Sequence, residues 1–179
     1  MLFLFSGGLA AKIAALIVFS VAALTDLLDG MIAKSRNLIT NFGKIMDPIA
    51  DKILVLAAFL SFIQLQLIPA WMVIAIIARE SLITSLRLFA LSRGVVIAAS
   101  PGGKQKTVSQ IVAIFVILLS LIFKEVMKQY FTWQPSYDKV IGGIVYWAML
   151  STASLTLISG LSYMWNNRHL FLGARHAEK

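Results

Sequence analysis

Long apolar runs recur along this chain between short polar breaks, and their spacing predicts five helices. The first covers residues 8–30, through AAKIAALIVFSVAALTD, and the second covers about 45–67, closing at Pro69. The third runs over 70–92, with Gly94 as its C-terminal stop. Pro101, Gly102 and Gly103 break the chain before a fourth helix from about 106 to 123. Residues 124–139 are amphiphilic, and Tyr130 and Trp133 there suit a membrane–water interface. The last helix spans about 140–165 and leaves a short polar tail. Each run is long enough to cross a bilayer as a helix, which satisfies its own backbone polar groups in lipid. The fold class this implies is all-α, a polytopic transmembrane helical bundle of five spans forming one domain over residues 1–179. No low-complexity linker and no internal repeat interrupts it.

Composition agrees with that class. Hydrophobic residues make up 59% of the chain, and the mean hydropathy of +0.86 is well above that of an ordinary soluble domain. The first apolar run leads into polar sequence without a cleavage pattern, so no signal peptide is expected. There is no cysteine, which excludes disulfides, thiolate metal sites and thiol nucleophiles. The net charge of +8 points to anionic lipid, a phosphate-bearing substrate and topology rather than nucleic acid. Lys34, Arg36, Lys44, Lys52, Arg93, Lys104, Lys106, Arg168, Arg175 and Lys179 fall on one side of the five spans; Lys12, Lys124, Lys128 and Lys139 fall on the other. The positive-inside rule makes the richer side cytoplasmic, the N-terminus external and the protein a multi-pass cell-membrane protein.

Four aspartates change the picture most. Asp26 and Asp29 are spaced i, i+3, and Asp47 and Asp51 i, i+4, so each pair shares one helical face. They are half of the chain's eight acidic residues, next to hydrocarbon-like sequence where carboxylates are costly unless neutralised. The expected arrangement ends the first span at Asp26 and Asp29 and opens the second with Asp47 and Asp51. Pro48 would then lie in a first helical turn, and a loop carrying Lys34, Arg36 and Lys44 would join the two. Two divalent cations are the simplest neutraliser, and hard oxygen ligands suit Mg²⁺ or Mn²⁺. The plainer alternative is a set of interfacial helix-terminal acids paired with nearby lysines. A cation transporter is a second alternative, but it would favour carboxylates near mid-membrane in repeated halves.

A basic group follows at Arg79, Arg87, Lys104 and Lys106. Arg79 lies well inside the third run, and Arg87 is about two turns further along the same face. This set suits an acceptor phosphate; the plainer reading is an Arg79–Glu80 pair with ordinary cytoplasmic lysines. His169 and His176 lie in the tail and receive no role, and Trp71, Trp147 and Trp165 suit interfacial belts.

The stretch from Asp26 to Asp51 resembles the signature of the CDP-alcohol phosphotransferase family, Asp-x2-Asp-Gly-x2-Ala-Arg-x8-Gly-x3-Asp-x3-Asp. Every spacing matches, and Lys34 stands where the family has arginine. NLITNFGKIMDPIADKILV, PAWMVIAIIARESLITSLRL and GGKQKT extend the likeness to the branch that uses glycerol-3-phosphate. Family members also carry an amphipathic segment and one further transmembrane helix before the aspartates. Here MLFLFSGG precedes the first run, so the chain is expected to lack that helix, through truncation or a late-assigned start.

The resemblance implies transfer of the phosphatidyl group of CDP-diacylglycerol to an alcohol, with release of CMP. It assigns Asp26, Asp29, Asp47 and Asp51 to two metal ions, and Asp51 also to the base that deprotonates the acceptor. Asp26, Asp29, Gly30, Lys34 and Gly43 would hold CDP-diacylglycerol; Arg79, Arg87, Lys104 and Lys106 would hold the phosphate of glycerol-3-phosphate. Other acceptors in the family are inositol phosphate, serine and phosphatidylglycerol. The resemblance also implies a homodimer in the bilayer, with its active site facing the cytoplasm.

Overall fold

Helix ends, more than helix centres, decide where the polar residues of this chain lie. The computed structural model describes residues 8–36, 41–92, 102–130, 134–166 and 168; for 26, 27, 29–36, 41–51, 91, 92 and 102–105 it describes the backbone alone. Among the described residues there are five helices and no strand: α1 Leu9–Arg36, α2 Asn41–Gln64, α3 Ala70–Ser92, α4 Gly102–Tyr130 and α5 Pro135–Asn166. The all-α class is as expected. Lys106–Tyr130 and Pro135–Asn166 are long and apolar enough to cross a bilayer, whereas Leu9–Thr25 and Lys52–Gln64 are shorter apolar stretches. The uncharged segment between Lys106 and Lys124 measures ~27 Å along α4, close to the ~30 Å of a hydrocarbon core.

The expected bounds of four helices are corrected. α1 runs past Gly30 to Arg36, because Met31, Ile32, Ala33 and Lys34 are good or tolerable helix formers after the apolar run ends. Lys34 and Arg36 are therefore on α1, not in a loop. α2 starts at Asn41, which puts Gly43 and Lys44 inside it and Pro48 beyond its first turn. Pro48 lacks the N–H that would bond the carbonyl of Lys44, so α2 is locally weakened where the sequence reading expected no loss. α4 absorbs Gly102 and Gly103 at one end and residues 124–130 at the other, leaving the link to α5 short. Pro135 opens α5, where a missing N–H costs nothing.

The end of α2 shows how such a boundary is set. The Leu67 N–H donates to the Phe62 carbonyl at 3.0 Å and the Gln66 N–H to the Ile63 carbonyl at 2.8 Å. Gln66 has a φ of 56°. This is the paired-bond stop in which one left-handed residue ends a helix, with glutamine where glycine is usual. Pro69 then prevents continuation and precedes α3.

The chain divides into two compact units, Met1–Ile68 with Ala113–Tyr146, and Pro69–Val112 with Trp147–Lys179. In the first, Phe19, Phe59, Phe62, Ile114, Ile117 and Leu118 are almost fully buried, and Phe19 meets Phe115 edge-on at 5.5 Å. Lys12 of α1 forms an ion pair with Glu125 of α4, and Lys124 one with Asp138 of α5. Residues 12 and 19 of α1 thus meet 125 and 115 of α4, so these helices run antiparallel. In the second unit Met72, Val73, Ile76, Met149 and Ala153 form the apolar centre. The Thr152 hydroxyl there donates to the Ser109 carbonyl at 3.2 Å, joining α5 to α4.

The Lys12–Glu125 pair is only 14% and 26% exposed, so removing one member strands the other in an apolar setting. Lys12→Met alone is expected to lower stability in detergent by about 1–3 kcal/mol, the cost of an unsatisfied charged group. Lys12→Met with Glu125→Leu should recover most of that loss, as read by thermal unfolding.

Candidate active site

The aspartates are placed by the helix pair that carries them. α1 ends at Arg36, α2 begins at Asn41, and the two pack against each other. So short a connection makes them an antiparallel pair. Counting from the joined ends at ~1.5 Å per residue, Asp29 and Asp47 lie ~9–11 Å in, and Asp26 and Asp51 ~15 Å in. Four carboxylate-bearing positions therefore share two levels of one helix pair. They sit two to three turns inside the helices rather than at their ends, a difference that follows from the extended α1 and α2. Gly30 and Gly43 are also helical backbone rather than loop. A glycine inside a helix costs ~1 kcal/mol relative to alanine.

The side chains of Asp26, Asp29, Lys34, Asp47, Asp51 and Lys104 lie outside the described residues, as do Arg93, Gly94, Pro101, Trp133, His169 and His176. Among the described residues no group of three or more histidines or acids converges. The all-carboxylate donor set of α1 and α2 would suit Mg²⁺ or Mn²⁺ rather than zinc.

The basic group lies in the second unit and is arranged differently from the plain expectation. Arg79 and Glu80 are neighbours in sequence, so their side chains leave α3 on different faces. Glu80 turns to α4, where its carboxylate accepts from Lys106 Nζ at 2.9 Å and from Gln110 Nε2 at 3.1 Å. Arg79 turns to α5, where its Nη2 donates to Ser159 Oγ at 2.8 Å. The supposed Arg79–Glu80 pair is thus replaced by a Glu80–Lys106 pair, and Lys106 serves a structural carboxylate. Arg79 is 6% exposed, and its Nε is buried without a hydrogen-bond partner.

Arg87 follows Arg79 along α3 and also meets α5. Its Nε donates to the Tyr163 hydroxyl at 3.2 Å, and its guanidinium carbon lies 5.3 Å from the centre of that ring. Residues 79 and 87 of α3 meet 159 and 163 of α5 in the same order, so α3 and α5 run parallel, while α4 runs against α3. The α5 partners Ser159, Gly160 and Tyr163 were not singled out by sequence reasoning. Their signal was present: Thr152, Thr156, Ser159 and Tyr163 recur at helical spacing as a polar stripe through an apolar span. Trp71, Trp147 and Trp165 are all exposed, as belt residues are.

A model of the CDP-alcohol phosphatidyltransferase family matches residues 1–158. A CDP-diacylglycerol–glycerol-3-phosphate 3-phosphatidyltransferase of Bacillus subtilis is 42% identical over 80% of this chain and 79% of its own length. An enzyme of the same description from Rickettsia typhi is 34% identical over 91% of this chain and 84% of its own length. A probable phosphatidylglycerophosphate synthase of Mycobacterium tuberculosis is 43% identical over 68% of this chain and 59% of its own length. These likenesses leave the transporter alternative without support.

The rearranged pairing has a measurable consequence. In double-mutant cycles read by unfolding, Glu80→Gln and Lys106→Met should couple by about 1–3 kcal/mol, whereas Glu80→Gln and Arg79→Gln should couple distinctly less. A stronger Glu80–Arg79 coupling would restore the sequence-neighbour pair.

Proposed function

Because the chain belongs to the CDP-alcohol phosphatidyltransferase family, we infer that it transfers the phosphatidyl group of CDP-diacylglycerol to sn-glycerol-3-phosphate, giving phosphatidylglycerophosphate and CMP. The observation that carries the acceptor choice is Arg79: a buried guanidinium with a hydroxyl partner and an unpaired Nε, whose neighbouring carboxylate is engaged by Lys106. A buried cation of this kind calls for an anion, and the phosphate of the acceptor supplies one. Its relatives' names, which specify glycerol-3-phosphate, point the same way.

In this reading Arg79 and Arg87 hold the acceptor phosphate, and Lys104, in the first turn of α4, adds charge. Lys106 contributes to the local potential while remaining paired with Glu80. Asp26, Asp29, Asp47 and Asp51 hold two divalent ions, Mg²⁺ or Mn²⁺. Such ions, when bound, neutralise the diphosphate and the charge that develops on the leaving CMP. Asp51 accepts the proton of the acceptor hydroxyl as its oxygen bonds to the phosphatidyl phosphorus. The bond from that phosphorus to the CMP oxygen breaks, and CMP leaves with the electron pair. Gly30 and Gly43 let CDP-diacylglycerol approach the α1 and α2 backbones, and Lys34 holds its phosphates as a point charge rather than a fork. The charge asymmetry supports a cytoplasmic site in a multi-pass membrane protein, and the family resemblance supports a homodimer.

The test is CMP release from CDP-diacylglycerol with a panel of acceptors. Glycerol-3-phosphate should support turnover, while glycerol and serine should not, and chelation should abolish it; comparable rates with glycerol would overturn the acceptor assignment. Asp51→Asn should lower kcat by about 10²–10⁴-fold with the donor KM little changed, the usual loss for a missing base. Lys34→Arg is expected to tighten donor binding without altering acceptor preference. An unchanged donor KM would assign the diphosphate to another cation.

A further inference from the structure

We propose that α5 positions the acceptor site, with Gly160 and Ser159 seating Arg79 and Tyr163 steering Arg87. The proposal rests on the acceptor-phosphate reading above and adds residues to it.

Three observations carry it. A Cβ built on Gly160 would lie 2.7 Å from Arg79 Cγ, 2.9 Å from its Nε and 3.3 Å from its Cδ. The first two separations are too short to exist, and the atoms involved include the root of a buried side chain, not a mobile tip. Gly160 is therefore the recess into which the aliphatic stem of Arg79 packs, and any larger residue must displace that stem. Next, Ser159 has its proton committed to the Thr156 carbonyl at 3.3 Å, so its lone pairs face the guanidinium, and Nη2 donates to it at 2.8 Å. The stem is fixed by Gly160 and one terminal nitrogen by Ser159, and the buried Nε has no hydrogen-bond partner. Last, Tyr163 is 3% exposed and offers Arg87 both its hydroxyl and its ring face. Two guanidiniums two turns apart on α3 are thus oriented from a single face of α5.

Orientation matters because a guanidinium binds phosphate through a planar fork, and misplacing the fork loses bonds while the charge remains. These α5 residues act through Arg79 and Arg87, so disturbing them should weaken acceptor use and spare the donor.

The experiment is steady-state kinetics of the full chain in detergent, with glycerol-3-phosphate and CDP-diacylglycerol varied separately. Gly160→Ala and Tyr163→Phe should each raise the glycerol-3-phosphate KM about three- to tenfold, the worth of one hydrogen bond, with kcat and the donor KM within about twofold. Leu161→Ala, at an exposed position on the same turn, should change neither KM. Once Arg79→Ala has removed the stem, Gly160→Ala should have no further effect, and Tyr163→Phe likewise after Arg87→Ala, because each pair acts as a unit. Additive losses, or equal effects on both substrates, would make α5 a packing helix and overturn the proposal. The two levels separate cleanly. If Arg87→Ala raises the acceptor KM while the α5 variants are silent, the positioning role fails and the acceptor reading stands. If neither arginine variant alters the acceptor KM, the reading itself fails and the proposal goes with it.

Discussion

Charge in an apolar helix has to be neutralised, and that constraint organises what the rest of this molecule does. Lys12 is answered by Glu125, Lys124 by Asp138, and Glu80 by Lys106 and Gln110. Each pair joins two helices, so the cost of desolvating a charge is offset by a contact that also fixes helix register. In the first unit the pairs set α1 against α4 and close the α4–α5 turn. In the second, the Glu80 pairing sets α3 against α4.

Two arginines of α3 stand apart from these ion pairs, and the proposed acceptor site rests on them. Arg79 is buried with only a hydroxyl partner, and its neighbour Arg87 meets a tyrosine rather than an acid. The four aspartate positions occupy matched levels of α1 and α2, and divalent cations are the counter-charge proposed for them. A buried guanidinium without an ion-pair partner costs stability, and such costs are usual at functional sites.

Much of the fold was legible in the sequence because long apolar runs admit few alternatives in lipid. The helix centres and the all-α class followed directly. The ends did not, because Lys34, Ser35 and Arg36, and Asn41, Gly43 and Lys44, interrupt the apolar pattern while still allowing a helix, so hydropathy fell before the helix did. That is why the aspartates, Gly30 and Gly43 were expected at ends or in loops and are found within helices. The aspartate spacing and the choice of Arg79 and Arg87 came from the sequence alone. Their α5 partners did not, since a serine, a glycine and a tyrosine in an apolar run have little contrast until α3 is packed against them. The Arg79–Glu80 reading failed for a simple geometric reason: adjacent residues on a helix do not face each other.

The acceptor site stands or falls on whether the buried Arg79 answers to a phosphate. Isothermal titration of the purified chain with glycerol-3-phosphate and with glycerol, in the presence of Mg²⁺ and CMP, measures this directly. Saturable binding of glycerol-3-phosphate is expected, with none of glycerol over the same range and loss of the signal in Arg79→Gln. Equal binding of the two ligands, or undiminished glycerol-3-phosphate binding by Arg79→Gln, would contradict it.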